Sequence, residues 1–148
     1  MNLKSISLIF LLLFSSDLYA AKAYFAGGCF WCMESDFEKV KGVSEVISGF
    51  TGGTLKNPTY RGDHSGHYEA VEVIYDPKVV SYKELLDHFW KSIDPFDSRG
   101  QFCDKGFAYL SALFPGTPEE ERLAKESRIK VVKKFPNQKV ITPILKAS

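Results

Sequence analysis

No long block of charge of either sign occurs in this chain: 19 basic residues stand against 18 acidic ones, for a formal net charge of +1. Without a basic stripe there is no field to track phosphates, and nucleic acid is not expected as a partner. Internal repeats, low-complexity tracts and Pro/Gly-rich linkers are also missing, so nothing divides the chain. Its 148 residues suffice for one hydrophobic core and are too few for two of ordinary size. The polar, charge-rich balance that keeps chains unfolded is absent as well, since 45% of the residues are hydrophobic and 25% charged.

Apolar runs long enough to cross a bilayer are lacking. The run from Ile6 to Phe14 follows Lys4 and leads through small or polar residues to Leu18-Tyr19-Ala20, the order of a secretory signal. Residues 1–20 are therefore expected to be a signal peptide cut after Ala20, with the mature protein exported to a bacterial periplasm and free of membrane. A cut at Ala21-Lys22-Ala23 would shave the first strand, and a buried or amphipathic N-terminal helix is the competing reading. Cysteine is scarce and odd in number: a purely structural disulfide framework built from Cys29, Cys32 and Cys103 would leave one thiol over, which suggests chemistry.

What is present after the leader is an alternating series of elements. Residues 23–28, AYFAGG, read as a strand ending at paired glycines, followed by a helix over 29–41 whose Phe30, Met33, Phe37 and Val40 recur at helical spacing, with Gly42 ending it. Val43 to Phe50 reads as a strand and residues 52–66 as a long loop of the kind that often carries function. Tyr68 to Tyr75 reads as a buried strand stopped by Asp76-Pro77. Ser81 and Glu84 form a capping box ahead of Leu85, Leu86, Phe89 and Trp90. Residues 94–106 are a second polar loop, and Phe107 to Phe114 is a strand candidate. A helix from Thr117 to about Lys134 and a short strand over Lys139 to Ile144 complete the series. The order predicts an α+β fold, a ferredoxin-like split βαβ sandwich with a central mixed sheet.

Cys29 directly follows the strand and the two glycines and opens the helix, where unpaired N–H groups and the positive dipole end favour a thiolate. Cys32, three residues on, shares its helical face, close enough for the sulfurs to meet. Such a pair suits dithiol exchange; half a zinc site and inert packing are the alternatives. Phe30 and Trp31 between them would wall an apolar pocket beside a reactive thiol, although Phe30 alone also fits an ordinary core. His64 and His67 could complete a zinc site with the cysteines, at a spacing wrong for a compact finger. Glu69 stands among apolar positions at the start of a buried strand, where burial would raise its proton affinity and make it a general acid. Its bland alternative is an edge-strand glutamate facing water. Asp104, Tyr60 and Tyr109 could supply hydrogen bonds, and by composition alone are ordinary loop and strand residues.

Taken together, GGCFWCMESDF, GFTGGTLKNPTYRGDHSGHYEAVEVIYDP and FWKSIDPFDSRGQFCDKGFAYLSALF resemble the A-class peptide methionine sulfoxide reductases, over a span from about Ala23 to Ile144. The resemblance implies a ferredoxin-like α/β core, with Cys29 attacking the sulfoxide sulfur and Glu69 protonating its oxygen. It also implies that Tyr60, Asp104 and Tyr109 hydrogen-bond that oxygen or order water, and that Phe30 and Trp31 hold the substrate methyl group. The expected substrates are the S epimer of methionine sulfoxide in oxidised proteins and the free amino acid. A sulfenic acid on Cys29 would be resolved by Cys32 or Cys103 into a disulfide that a thioredoxin-type donor reduces, with no metal or organic cofactor. The catalytic domain is expected over 21–148 as a monomer, without the aromatic-rich C-terminal segment carrying a YHQ-like motif that usually follows. A generic exported thiol-disulfide oxidoreductase and a zinc-binding module are the competitors.

Overall fold

A computed structural model of the chain describes residues 20–148. The signal expected over residues 1–20 lies outside them but for its last residue. Strand β1 (Ala21–Gly27) leads into helix α1 (Phe30–Phe37), followed by β2 (Val43–Thr51), β3 (Tyr68–Tyr75) and helix α2 (Tyr82–Ser92). A two-residue hairpin, β4 (Gly100–Gln101) and β5 (Asp104–Lys105), precedes a 3-10 turn (Phe107–Tyr109), strand β6 (Ser111–Leu113) and helix α3 (Pro118–Lys134).

The main sheet has the order β2-β3-β1-β6, antiparallel at every pairing of named strands. β3 thus lies between β1 and β2, which run parallel and are joined through α1; this is the split βαβ arrangement. The mixed character expected of the sheet reduces to one parallel bridge, Leu113 to Ile144.

Side-chain alternation along the strands sorts residues onto two faces. Ala23, Phe25, Val71 and Val73 join the helix-side core with Phe37, Leu85, Leu86 and Phe89. There the Phe25 ring stacks 5.1 Å from Phe37 and 5.4 Å from Phe89. The opposite parity, Ala26, Tyr68, Ala70, Ala112 and Phe114, builds a smaller cluster beneath the sheet. Glu69 shares the parity of Val71 and Val73, so its carboxyl is carried to the helix side, toward the start of α1.

Helix α2 begins as its sequence predicts. The Ser81 hydroxyl accepts from the Glu84 N–H and the Glu84 carboxylate accepts from the Ser81 N–H. Ser81→Ala removes the acceptor for one otherwise unpaired donor and is expected to destabilise the fold by about 1 kcal/mol, read as a lower urea midpoint at unchanged slope.

Three elements differ from the sequence reading. α1 stops at Phe37, and the expected last turn unwinds into short turns (Lys39 N to Asp36 O, Val40 N to Phe37 O) ahead of Gly42 at φ +98. A side chain at Gly42 would meet Val79 and Val80 at 2.8–2.9 Å, so the chain reverses there by close backbone approach. Phe107–Phe114 is a strand only over its last part. Phe107 packs at 4.9 Å on Tyr68, and the N–H groups of Tyr109 and Leu110 close back on Gly106 and Phe107. Residues 139–144 form no strand: Leu113 donates to the Pro143 carbonyl and accepts from the N–H of Leu145, just past the segment, but Pro143 has no N–H to continue a ladder.

Candidate active site

The β1–α1 junction dictates where Cys29 sits. Cβ atoms on Gly27 or Gly28 would fall 2.6 Å from the Met33 sulfur and 2.7 Å from the Gln101 Cβ, and Gly28 has φ +95. Only glycines allow strand, helix and the β4–β5 loop to approach this closely. Cys29 then serves as N-cap of α1, its carbonyl accepting the N–H groups of Cys32 (3.0 Å) and Met33 (3.1 Å).

The next backbone N–H, that of Phe30, has no partner within the helix. It donates to Oε2 of Glu69 at 3.0 Å. One carboxyl oxygen therefore caps the helix that presents the cysteine, which ties Glu69 to Cys29 through a single residue. Glu69 is only 2% exposed. Burial pushes its carboxyl above the ordinary value, opposed by the Phe30 N–H and by nearby His64 and reinforced by Asp104. The Tyr109 hydroxyl is also pushed up, first by the charge of Glu69, then by burial, Asp104, Tyr60 and Cys29. The five residues to which the sequence assigns catalysis, Cys29, Glu69, Tyr60, Asp104 and Tyr109, thus share one electrostatic neighbourhood.

Aromatic rings close the other side. Trp31 lies 5.3 Å from Phe30 and 5.1 Å from Tyr60, and Tyr60 is 5.9 Å from Phe30. Phe30 is buried and also rests on Phe50 as a core residue, whereas Trp31 is 55% exposed. A cleft of about 680 Å³ opens past Cys29, Trp31, Cys32, Phe102 and Asp104.

All three cysteines are free thiols. The Cys32 N–H donates to the Cys29 carbonyl at 3.0 Å, which sets the two cysteines in one turn. Partial burial, then the neighbouring Cys29 and the negative charges of Asp104 and Glu69, hold the Cys32 proton more tightly than in a free thiol. Cys103 is exposed in the two-residue turn between β4 and β5, next to Phe102 and Asp104.

His64 and His67 do other work than the zinc alternative requires. The His64 ring stacks 4.9 Å from Phe50 with Nδ1 3.2 Å from the Thr59 carbonyl, and Nε2 of buried His67 lies 3.0 Å from the Leu55 carbonyl. Both pin the loop that carries Tyr60. Among the described residues no group of three or more His, Cys, Asp or Glu side chains could hold a metal ion.

Two contributors escaped sequence reasoning. Gln101 is buried; its Oε1 accepts the Asp94 N–H at 2.7 Å, and its Nε2 donates to the carbonyls of Asp94 and Gly100. It locks the loop that delivers Asp104 and backs onto Gly28. Phe102, at φ +48 and largely exposed, forms the outer lip of the cleft. The only signal for either was adjacency to Cys103 and Asp104.

Comparison with known proteins agrees with this geometry. The family model described as peptide methionine sulfoxide reductase matches residues 21–148. A peptide methionine sulfoxide reductase, MsrA 2, of Caulobacter vibrioides is 51% identical over 128 residues, covering 84% of this chain and 65% of the relative. Methionine sulfoxide reductase A of Corynebacterium diphtheriae superposes with a TM-score of 0.73 at 31% identity, over 85% of this chain and 65% of that one. Mxr1 from Saccharomyces cerevisiae, solved in complex with Trx2, gives a TM-score of 0.65 at 21% identity over 87% of this chain and 77% of that one, a likeness of fold alone. The chain thus spans just under two thirds of the length of the first two proteins.

Proposed function

The chain belongs to the peptide methionine sulfoxide reductase family, and on that premise we propose that it reduces the S epimer of methionine sulfoxide, in oxidised proteins and as the free amino acid, to methionine. The observation that carries this reading is the Glu69 carboxyl, buried and 3.0 Å from the first N–H of the helix that begins at Cys29. A sulfoxide oxygen leaves poorly unless protonated, while the attacking sulfur must be anionic. The reaction needs a thiolate and a neutral carboxyl side by side, and burial favours the neutral form of Glu69.

Cys29 attacks the sulfoxide sulfur as Glu69 gives its proton to the oxygen. Tyr109, Tyr60 and Asp104 order that oxygen or a water, and Phe30 and Trp31 hold the methyl group. Oxygen ends on Cys29 as a sulfenic acid and the thioether departs as methionine. Attack by a second thiol forms a disulfide and releases the oxygen as water. The placement of Cys32 in the same turn as Cys29, its N–H donating to the Cys29 carbonyl at 3.0 Å, supports Cys32 as that thiol ahead of Cys103. A thioredoxin-type dithiol then gives two electrons and two protons to this disulfide, becoming a disulfide itself as both cysteines are returned to thiols.

An epimer-resolved assay tests the reading. With dithiothreitol as reductant, the S form of a methionine sulfoxide substrate is expected to disappear while the R form persists. One turnover without reductant is expected to leave a Cys29–Cys32 disulfide on peptide mapping. Insulin reduction without any sulfoxide turnover would instead favour a generic thiol-disulfide oxidoreductase. Export is proposed from the N-terminal sequence alone, and a mature N-terminus at Ala21 would bear it out.

A further inference from the structure

Cys29 and Asp104 occupy one end of the 680 Å³ cleft; the other end follows α1 to Asp36, Lys39 and Lys91. That far end lies beyond the reach of a methionine sulfoxide side chain. The helical rise of ~1.5 Å per residue puts Phe37, the last helical residue, roughly 12 Å along from Cys29, with Lys39 just past it. An extended peptide, advancing ~3.3 Å per residue, covers that distance in about four residues.

This end sets the Asp36 carboxylate against two lysines, a net excess of one positive charge. Asp36 is engaged: its carboxylate lies 2.9 Å from His88 Nε2 and accepts a hydrogen bond from the Ser92 hydroxyl. Lys39 and Lys91 are exposed, and among the described residues neither makes an ion pair. Two ammonium groups thus border a groove continuous with the reactive thiol.

We propose that Lys39 and Lys91 form a specificity subsite for an acidic side chain about four residues from the methionine sulfoxide of an oxidised polypeptide. The inference rests on the sulfoxide reductase reading, since it takes Cys29 as the point where the substrate chain is anchored. A competing account has physical weight. Lys91 sits in the last turn of α2 and Lys39 just past the end of α1, where cations offset the helix dipole whatever binds nearby. That role would show in stability and not in the choice of substrate.

The test uses synthetic peptides, each carrying one methionine sulfoxide with Glu or Gln four residues before or after it, assayed with the intact chain at low salt. For the favoured placement, kcat/KM is expected to be about three- to fivefold higher with Glu than with Gln, the size of one or two exposed ion pairs, and to lose that margin in high salt. The gain should lie in KM. The double substitution Lys39→Glu with Lys91→Glu is expected to bring the ratio to one or below, and the milder Lys39→Gln with Lys91→Gln to one, whichever folds better. A parent ratio of one at both placements, or a preference surviving in a folded double variant, overturns the subsite and leaves the reductase reading standing. Absence of turnover with every sulfoxide overturns both.

Discussion

Cys29→Ser is expected to abolish sulfoxide reduction, a loss of about 10⁴-fold or more in kcat/KM, with no compensating change in KM to account for it. The side chain differs by one atom, and Cys29 is bound into the helix start through its backbone, so folding should be unaffected. The chemistry, in contrast, loses everything: a serine hydroxyl is not ionised at neutral pH and cannot take the oxygen as a reducible sulfenic acid. Cys32→Ser should separate from this cleanly. It is expected to retain a single turnover, producing close to one methionine per protein without reductant, while multiple turnover with a thioredoxin-type donor fails. Circular dichroism and a quantified single-turnover assay of both variants check the pair of outcomes. If the Cys29→Ser protein keeps reducing sulfoxide, the assignment of the nucleophile is wrong.

The contrast between these cysteines shows what was legible in the sequence and what was not. Cys29 could be read locally, because strand, paired glycines, cysteine and amphipathic periodicity are consecutive and their meaning depends on nothing remote. The same holds for β3, matched end to end at Tyr68 and Tyr75, and for the capping box at Ser81 and Glu84. Elements decided by distant partners were misread. Phe107 and Tyr109 have strand-like composition, but docking on Tyr68 and the turn at Gly106 bend them into a 3-10 turn, which brings Tyr109 to the site. Lys139 to Ile144 alternates like a strand and meets β6, yet Pro143 limits the meeting to a bridge.

Glu69 is the instructive case. Alternation alone allowed an edge-strand glutamate facing water, and the choice was settled by pairing: β3 lies between β1 and β2, with Phe50 opposite Glu69, and α1 covers that face. Gln101 could not have been found at all by periodicity. Its role exists only because the loop it locks folds against Gly28.

Glu69→Gln is expected to lower sulfoxide turnover by about 10²- to 10³-fold near neutral pH while making the folded protein more stable there. The two effects share one cause. Burial raises the Glu69 carboxyl's proton affinity, so between its ordinary value and the raised one the folded chain holds a proton that the unfolded chain has released. Stability therefore falls as pH rises through that window and stays reduced above it. Glutamine carries no charge to bury, and its side-chain oxygen can still accept the Phe30 N–H. The advantage of the variant should accordingly vanish below the ordinary carboxyl range, grow as pH climbs from that range to the raised value, and level off beyond it. Urea midpoints measured at acid and neutral pH read this directly. Activity follows the same proton in reverse. A general acid works only while protonated, so kcat/KM of the parent should decline on the alkaline side of the Glu69 transition, and that limb should be missing from the residual activity of the variant. An uncharged sulfoxide entering the pocket expels water and pushes the carboxyl further up, which extends the acid's working range in the complex. Should Glu69→Gln lose activity and stability together at every pH, the carboxyl would be a cap for α1 and nothing more.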